Sequence, residues 1–227
     1  MKKLILPLLI VLSGCAATPS NELPAFAPSL LGGSKDIALV FEASKQNQNY
    51  GINQTGTATG GLIGAKIDHD NTSNSTVFTK AAFAHPQFED LYAKFGADLS
   101  AALNAQGYQT FKARHAYSTT AFDPAATHHG DREWVIYVEN AFIQYYATTI
   151  LSSYKPKISA YITPYNTKTK VLYKPLYLDF TMNNPTSFAT AAGVLENIPH
   201  SFEGLKQNTK AAAAEAARML TGSAPTR

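Results

Sequence analysis

The stretch that most constrains this chain is Leu12-Ser13-Gly14-Cys15, which follows a basic start at Lys2 and Lys3 and an apolar run from Leu4 to Leu12. A positive start, a short apolar run and small residues at its end are the layout of a secretory signal. The run is broken by Pro7 and falls well short of the about 20 apolar residues that span a bilayer. It is therefore expected to be cut away rather than kept as a membrane helix. A free cysteine in a globular chain is usually an inert core residue, but a core cysteine has no need of this upstream pattern. The chain divides accordingly into a signal at 1–14, Cys15 and a flexible tether to 35, one domain over 36–222, and a short tail at 223–227.

Leu at minus three, Ser at minus two and Gly at minus one before Cys15 form a lipobox, and these residues resemble those of bacterial lipoproteins. The resemblance implies that the Cys15 thiol carries a diacylglycerol, that the chain is cut before it, and that the new amino group takes a further fatty acid such as palmitate. One acyl chain alone binds a membrane reversibly, at about 0.8 kcal/mol per buried methylene, whereas several on one cysteine give lasting attachment. In enterobacterial-type lipoproteins an aspartate just after the cysteine favours the inner membrane. Ala16 and Ala17 stand there instead, so the resemblance implies the outer membrane, with the domain facing the periplasm.

Composition closes several other routes. With 45% hydrophobic and 15% charged residues the chain can bury a core, which excludes whole-chain disorder. The formal net charge of +3 includes Lys2 and Lys3, so the mature chain is close to neutral, and a nucleic-acid partner is not expected. Cys15 is the only cysteine, leaving no disulfide and no thiol chemistry for the domain.

Ala16 to Ser34 holds Pro19, Pro24, Pro28, Gly32 and Gly33 and reads as tether. Fully extended, about 19 such residues reach about 60 Å. Asp36 to Glu42 is a short continuous apolar run, the mark of a strand buried on both faces. Phe88, Leu91, Tyr92, Phe95, Leu99, Ala102 and Leu103 keep helical spacing and predict a helix from Pro86 to Gln106, closed by Gly107. Tyr108 to Arg114 reads as a second strand and Glu133 to Tyr146, dense in aromatic and β-branched residues, as the longest. Ile158 to Tyr165 and Val171 to Thr181 flank a polar turn at Asn166 to Lys170 and predict a hairpin. A last stripe, Phe202, Leu205, Thr209, Ala212, Ala216, Met219 and Leu220, predicts a helix stopped by Gly222.

Between the first strand and the first helix the pattern dissolves, and residues 45–79 read as a Gly-rich polar insertion, glycine-bearing turn or short helix. Its Gly60-Gly61-Leu62-Ile63-Gly64-Ala65-Lys66-Ile67-Asp68 string lacks both the Walker pattern and Gly-x-Gly, so it is no nucleotide cradle. The string resembles a Gly-Gly-Leu-Ile-Gly-Ala-x-Ile-Asp segment of a group of uncharacterised proteobacterial lipoproteins, which carries no known activity.

These elements predict an α+β domain: one mixed or mainly antiparallel sheet of about five strands, with two amphipathic helices on its core face. Their order resembles the amino-terminal domain of the Tol-system propeller protein and the curli-secretion lipoproteins. That likeness implies nothing about function.

No chemistry-bearing constellation emerges. Asp68-His69-Asp70, and Asp123 with His128, His129 and Asp131, lack metal-ligand spacing, and Gly-x-Ser-x-Gly is absent. Neither a catalytic residue, nor a metal, nor a cofactor is expected. Two readings remain. One is a non-enzymatic docking or assembly component of the envelope, with a protein or a second copy of the chain as partner. The other is a lipoprotein that binds a small ligand, metal or glycan, with 45–79 as a lid. Pairing Tyr165 with Val171 would set Ile158, Ala160, Ile162, Leu172, Leu176, Leu178 and Phe180 on one hairpin face and Tyr161, Tyr165, Tyr173 and Tyr177 on the other. That tyrosine face is the candidate partner surface, because tyrosine is enriched at protein interfaces.

Overall fold

The aromatic and β-branched run after Glu133 becomes the spine of the sheet. The computed structural model describes residues 22–41, 50–55, 61–86, 88–115, 127–149, 151–182 and 186–223. A 3-10 turn, η1 (Pro28–Gly33), leads into β1 (Asp36–Phe41), β2 (Gly51–Gln54), α1 (Gly61–Ala84), α2 (Leu91–Ala105) and β3 (Gln109–Lys112). The short strands β4 (Arg114–His115) and β5 (Thr127–His128) form a separate pair. Then come β6 (Trp134–Ala147), β7 (Lys155–Asn166), β8 (Val171–Leu172), β9 (Leu176–Thr181), α3 (Ala191–Glu196) and α4 (Ile198–Thr221).

The main sheet has seven strands and is mixed. The antiparallel ribbon β6–β7 is its middle. On one side β1 and β2 lie end to end and parallel to β6, with β3 parallel to β1 beyond. On the other, β8 and β9 lie end to end and antiparallel to β7. The expectation of about five strands and two helices is thus too small: β2, the split of the last strand into β8 and β9, and α3 were not expected, and α1 runs far beyond the turn or short helix read at its Gly-rich start.

The two predicted stripes pack on one face of this sheet. Leu91, Phe95, Leu99 and Leu103 of α2 and Phe202, Leu205, Ala212, Ala216 and Leu220 of α4 share a core with Ile37, Leu39, Trp134, Ile136, Ile158 and Ile162. Each of the Leu, Ile and Phe side chains contributes about 1.5–3 kcal/mol on burial. α2 starts at Leu91 rather than Pro86, because Asp90 caps it, accepting the N–H groups of Tyr92 at 2.9 Å and Ala93 at 3.1 Å. Gly107 ends it with φ +86°, a conformation that glycine alone takes without strain. Burial raises the Tyr50 and Tyr145 phenols far above their ordinary range and pushes Tyr92 up to about 12. They stay neutral and bond within the core. Tyr50 accepts the Leu91 N–H at 3.1 Å, and Tyr145 donates to the Ser201 carbonyl at 2.9 Å.

Two regions depart from expectation. First, residues 45–79 contain β2 and most of α1, and Tyr50, Ile52, Phe78 and, just beyond, Ala82 are fully buried in the main core. The helix meets the strand through a polar ladder. Asn71, Ser75 and Thr79, four apart, face the backbones of Gln54, Ile52 and Tyr50. Four helical residues advance about 6.0 Å and two strand residues about 6.7 Å, so the two rows keep step. Each helix side chain takes a backbone N–H at 2.9–3.0 Å and donates to the same residue's carbonyl at 2.9–3.4 Å. The strand edge that would otherwise be bare is thereby closed.

Second, the carboxyl half of the expected tether, from Glu22 to Gly33, packs on the domain. Phe26 lies 5.9 Å from the Trp134 ring and 5.6 Å from the Tyr173 ring, and Leu31 is fully buried. Pro24 accepts the Lys174 N–H at 2.9 Å, and Glu22 pairs with Lys174 at 3.1 Å. Aromatic burial on Trp134 outweighs the flexibility suggested by proline and glycine content. No helix among the described residues is long and apolar enough to cross a membrane.

Candidate docking face and groove

A strand presents alternate residues to opposite faces, and β6 changes phase midway. Trp134, Ile136 and Val138 face the helices before a bulge between Glu139 and Phe142, and Ile143, Tyr145 and Ala147 face them after it. Asn140 sits in that bulge with φ 49°. The side away from α2 and α4 therefore carries two unlike halves. At one end Ala38, Val40, Ala113, Val135, Tyr137 and Tyr165 form a small buried cluster. At the other, the ladder aligns Glu139 with Tyr161 and Tyr177, then Phe142 with Ser159 and Asp179, then Gln144 with Lys157 and Thr181.

This second half is open. Phe142 is 54% exposed, Tyr161 43% and Tyr177 52%, and the two tyrosine rings lie 5.1 Å apart. Next to them is a groove of about 680 Å³ lined by Tyr146, Thr148, Ser152, Ser153, Lys155, Lys157, Asp179 and Thr181. Lys157 is held in two ways, by the Asp179 carboxylate at 2.8 Å and by the Tyr146 ring, whose centroid is 4.4 Å from Nζ. Tyr146 is fixed in turn by a hydrogen bond between its hydroxyl and that of Thr55, and Asn53 donates to Gln144 Oε1 at 2.5 Å. The floor of the groove is thus a set of side chains already tied to one another, offering hydroxyls, a cation and an anion beside an aromatic pair.

The expected tyrosine face is divided. Tyr161 and Tyr177 share the open half, as parity predicts, with Ile158, Ala160 and Ile162 opposite Phe180, Leu178 and Leu176 on the helix side. Tyr165 is 7% exposed and belongs to the small cluster, and Tyr173 lies on the helix side against Phe26 and Trp134. Tyr165 keeps the expected side and is buried there by its neighbours, whereas Tyr173 changes side because of an extra residue. Tyr165 pairs with Leu172 but Ile162 with Leu176, so four steps on one strand meet three on the other across Tyr173-Lys174-Pro175. This swaps Leu172 and Tyr173 between faces. Cys15 lies outside the described residues.

Neither histidine cluster comes together among the described residues. Asp68, His69 and Asp70 are consecutive and exposed on α1, with Asp70 paired to Lys66 at 3.2 Å. His129 contacts the Gly130 carbonyl at 2.7 Å, and Asp123 lies outside the described residues. Among the described residues no three His, Cys, Asp or Glu side chains come together as a metal would require. Phe142, Tyr146, Lys157 and Asp179 were missed from sequence. The odd-numbered run Lys155, Lys157, Ser159, Tyr161 on β7 carries the signal, a polar face at period two.

No family model matches the chain, and no curated protein matches it. Among solved structures it is similar to a minor lipoprotein from Acinetobacter baumannii, at 10% identity and a TM-score of 0.42, over 83% of this chain and 91% of that one. It is similar to a Xanthomonas campestris protein of the DUF330 family, at 9% identity and a TM-score of 0.38, over 90% of this chain and 91% of that one. A PelC dodecamer from Paraburkholderia phytofirmans shows 12% identity and a TM-score of 0.23, over 82% of this chain and 92% of that one. None of these likenesses assigns the chain to a family.

Proposed function

We propose that this chain is an envelope lipoprotein, held at the outer membrane by lipid on Cys15, that works without catalysis as a docking or assembly component for another envelope protein. The observation that carries the docking role is the open half of the sheet. Three large aromatic side chains, Phe142, Tyr161 and Tyr177, stand exposed on one face and clear of the helices. Aromatic residues supply most of the strong contacts of protein interfaces.

Crosslinking in intact cells tests this. Replacing Tyr161 and Tyr177 together with Ser should leave the fold intact, since an exposed cross-strand aromatic pair contributes about 0.2–1 kcal/mol. The captured partner should be lost. A folded variant that captures the same partner overturns the face. For the anchor, Cys15→Ser should move the chain out of the membrane fraction, and retention after a high-salt wash argues for another anchor.

The second reading, binding of a small polar ligand or glycan, is favoured by the groove, whose volume of about 680 Å³ lies in the usual range for ligand sites. The lid role expected for residues 45–79 drops out of this reading, because α1 and β2 are packed into the core.

A further inference from the structure

We infer that the end of the domain bearing the β7–β8 turn faces the lipid surface and contacts anionic headgroups, while the groove points away from it. This rests on the reading of Cys15 as the anchor. The first residue seen docked is Glu22, seven residues beyond Cys15. Seven residues span at most about 25 Å, whatever their conformation. The point where the chain meets the domain is therefore held within that distance of the acyl chains, less than half of the about 60 Å available to a tether running on to Ser34.

That point lies at one end of the sheet. Glu22 and Pro24 are bound to Lys174, and Phe26 is wedged between Trp134 and Tyr173. Trp134 pairs with Asn166, the last residue of β7. Asn166 Oδ1 then accepts the N–H groups of Lys168 at 3.0 Å and Thr169 at 2.9 Å, which shapes the turn. From here β7 runs back to Lys155 in the groove, twelve residues in all, or about 37 Å at the rise of an antiparallel strand. The attachment point lies nearer the turn end than the groove: Tyr173, next to Lys174, gives its N–H to Pro164, two residues from Asn166, whereas the groove residue Asp179 pairs with Ser159, five residues back from Pro164, and Lys157 lies seven back.

The turn end also carries the charge that suits a lipid surface. Lys168, Lys170 and Lys174 project there, and the side chains of Lys168 and Lys174 are 69% and 51% exposed. Glu133 and Glu22 pair with Lys168 and Lys174, leaving Lys170 as the surplus cation of the turn among the described residues. A cation near an anionic membrane surface contributes about 1 kcal/mol. The leash restrains the distance, and the surplus charge of Lys170 favours the turn end.

The test uses the full lipidated chain in vesicles of phosphatidylethanolamine with a minority of phosphatidylglycerol. One fluorescent probe is placed at Thr169→Cys in the turn or at Ser153→Cys in the groove, with an energy acceptor on the lipid headgroups. Transfer should be severalfold stronger from position 169. Vesicle flotation of the intact chain separates the two ideas. A chain that fails to float overturns the anchor and the orientation together. A chain that floats but shows equal transfer, or stronger transfer from 153, overturns the orientation alone. Inserting about 20 Gly and Ser residues between Asn21 and Glu22 raises the reach to about 97 Å and should shrink the difference. A difference that persists undiminished overturns the proposal as stated.

Discussion

The Ser75 hydroxyl accepts the Ile52 N–H at 2.9 Å and donates to the Ile52 carbonyl at 3.4 Å, so a helix side chain does for an edge strand what a neighbouring strand would do. Thr79 does the same for Tyr50 in a buried setting. Thr79→Val keeps the shape and removes both bonds. An unsatisfied buried backbone group costs about 1–3 kcal/mol, so the variant should unfold at lower urea with an unchanged slope. An unmoved midpoint would show that the ladder adds nothing.

Shortening the chain across residues 45–79 looks harmless from composition, because loop length alters closure entropy slowly. The burial of Tyr50, Ile52 and Phe78 reverses that expectation. Phe78→Ala should cost about 3–5 kcal/mol, and a deletion spanning β2 and α1 should abolish the cooperative thermal transition.

Gly204 gives α4 its close approach to β6. A Cβ there would overlap the Tyr145 hydroxyl oxygen and lie 2.8 Å from the Thr186 Cβ. Alanine is the better helix former by about 1 kcal/mol, but overpacking costs about 1–3 kcal/mol. Because two separate groups must move, the clash should win. Thermal melting of Gly204→Ala is expected to show a lower midpoint.

Glu133 accepts hydrogen bonds from Lys168 at 2.6 Å and from Asn166 at 3.3 Å, and the Lys168 bond in particular holds its carboxyl below the ordinary range. A carboxylate depressed in the folded state stabilises above its unfolded pKa of about 4.3, and that contribution is lost as pH falls through the folded value. The stability gap between the parent chain and Glu133→Gln should be present at neutral pH and close below about pH 4. Urea titrations across that interval would show it, and a gap that stays constant would count against the pair.

The parts of the fold written in long apolar periods were legible. The α2 and α4 stripes, β1, β6 and the Ile158–Ile162 half of the hairpin lie where their spacing places them, because burying an apolar face dominates the energetics at those positions. α1 was not legible. Its central contacts with β2 are made by Asn71, Ser75 and Thr79, which read as loop composition unless their own four-residue spacing is weighed. The docking of Phe26 was hidden among prolines and glycines, and its partner Trp134 is more than a hundred residues away. For the candidate face, Tyr161 and Tyr177 followed from parity. Tyr173 did not, because one extra residue between Leu172 and Leu176 is a count that alternation alone does not reveal, while Tyr165 kept its side but is buried there by packing that alternation does not describe.

The bulge at Asn140 makes β6 two half-strands read in opposite phase. Deleting that one residue would straighten the ladder and leave Ile143, Tyr145 and Ala147 on the helix side, with Phe142, Gln144 and Tyr146 still on the other. A single deletion in this strand is therefore tolerable at the bulge, whereas one made elsewhere turns the side chains that follow it to the other face. A chain of unrecognisable identity that keeps this bulge should keep the same parity jump between its two aromatic half-strands. The jump is a signature that can be sought by counting residues where matching them fails.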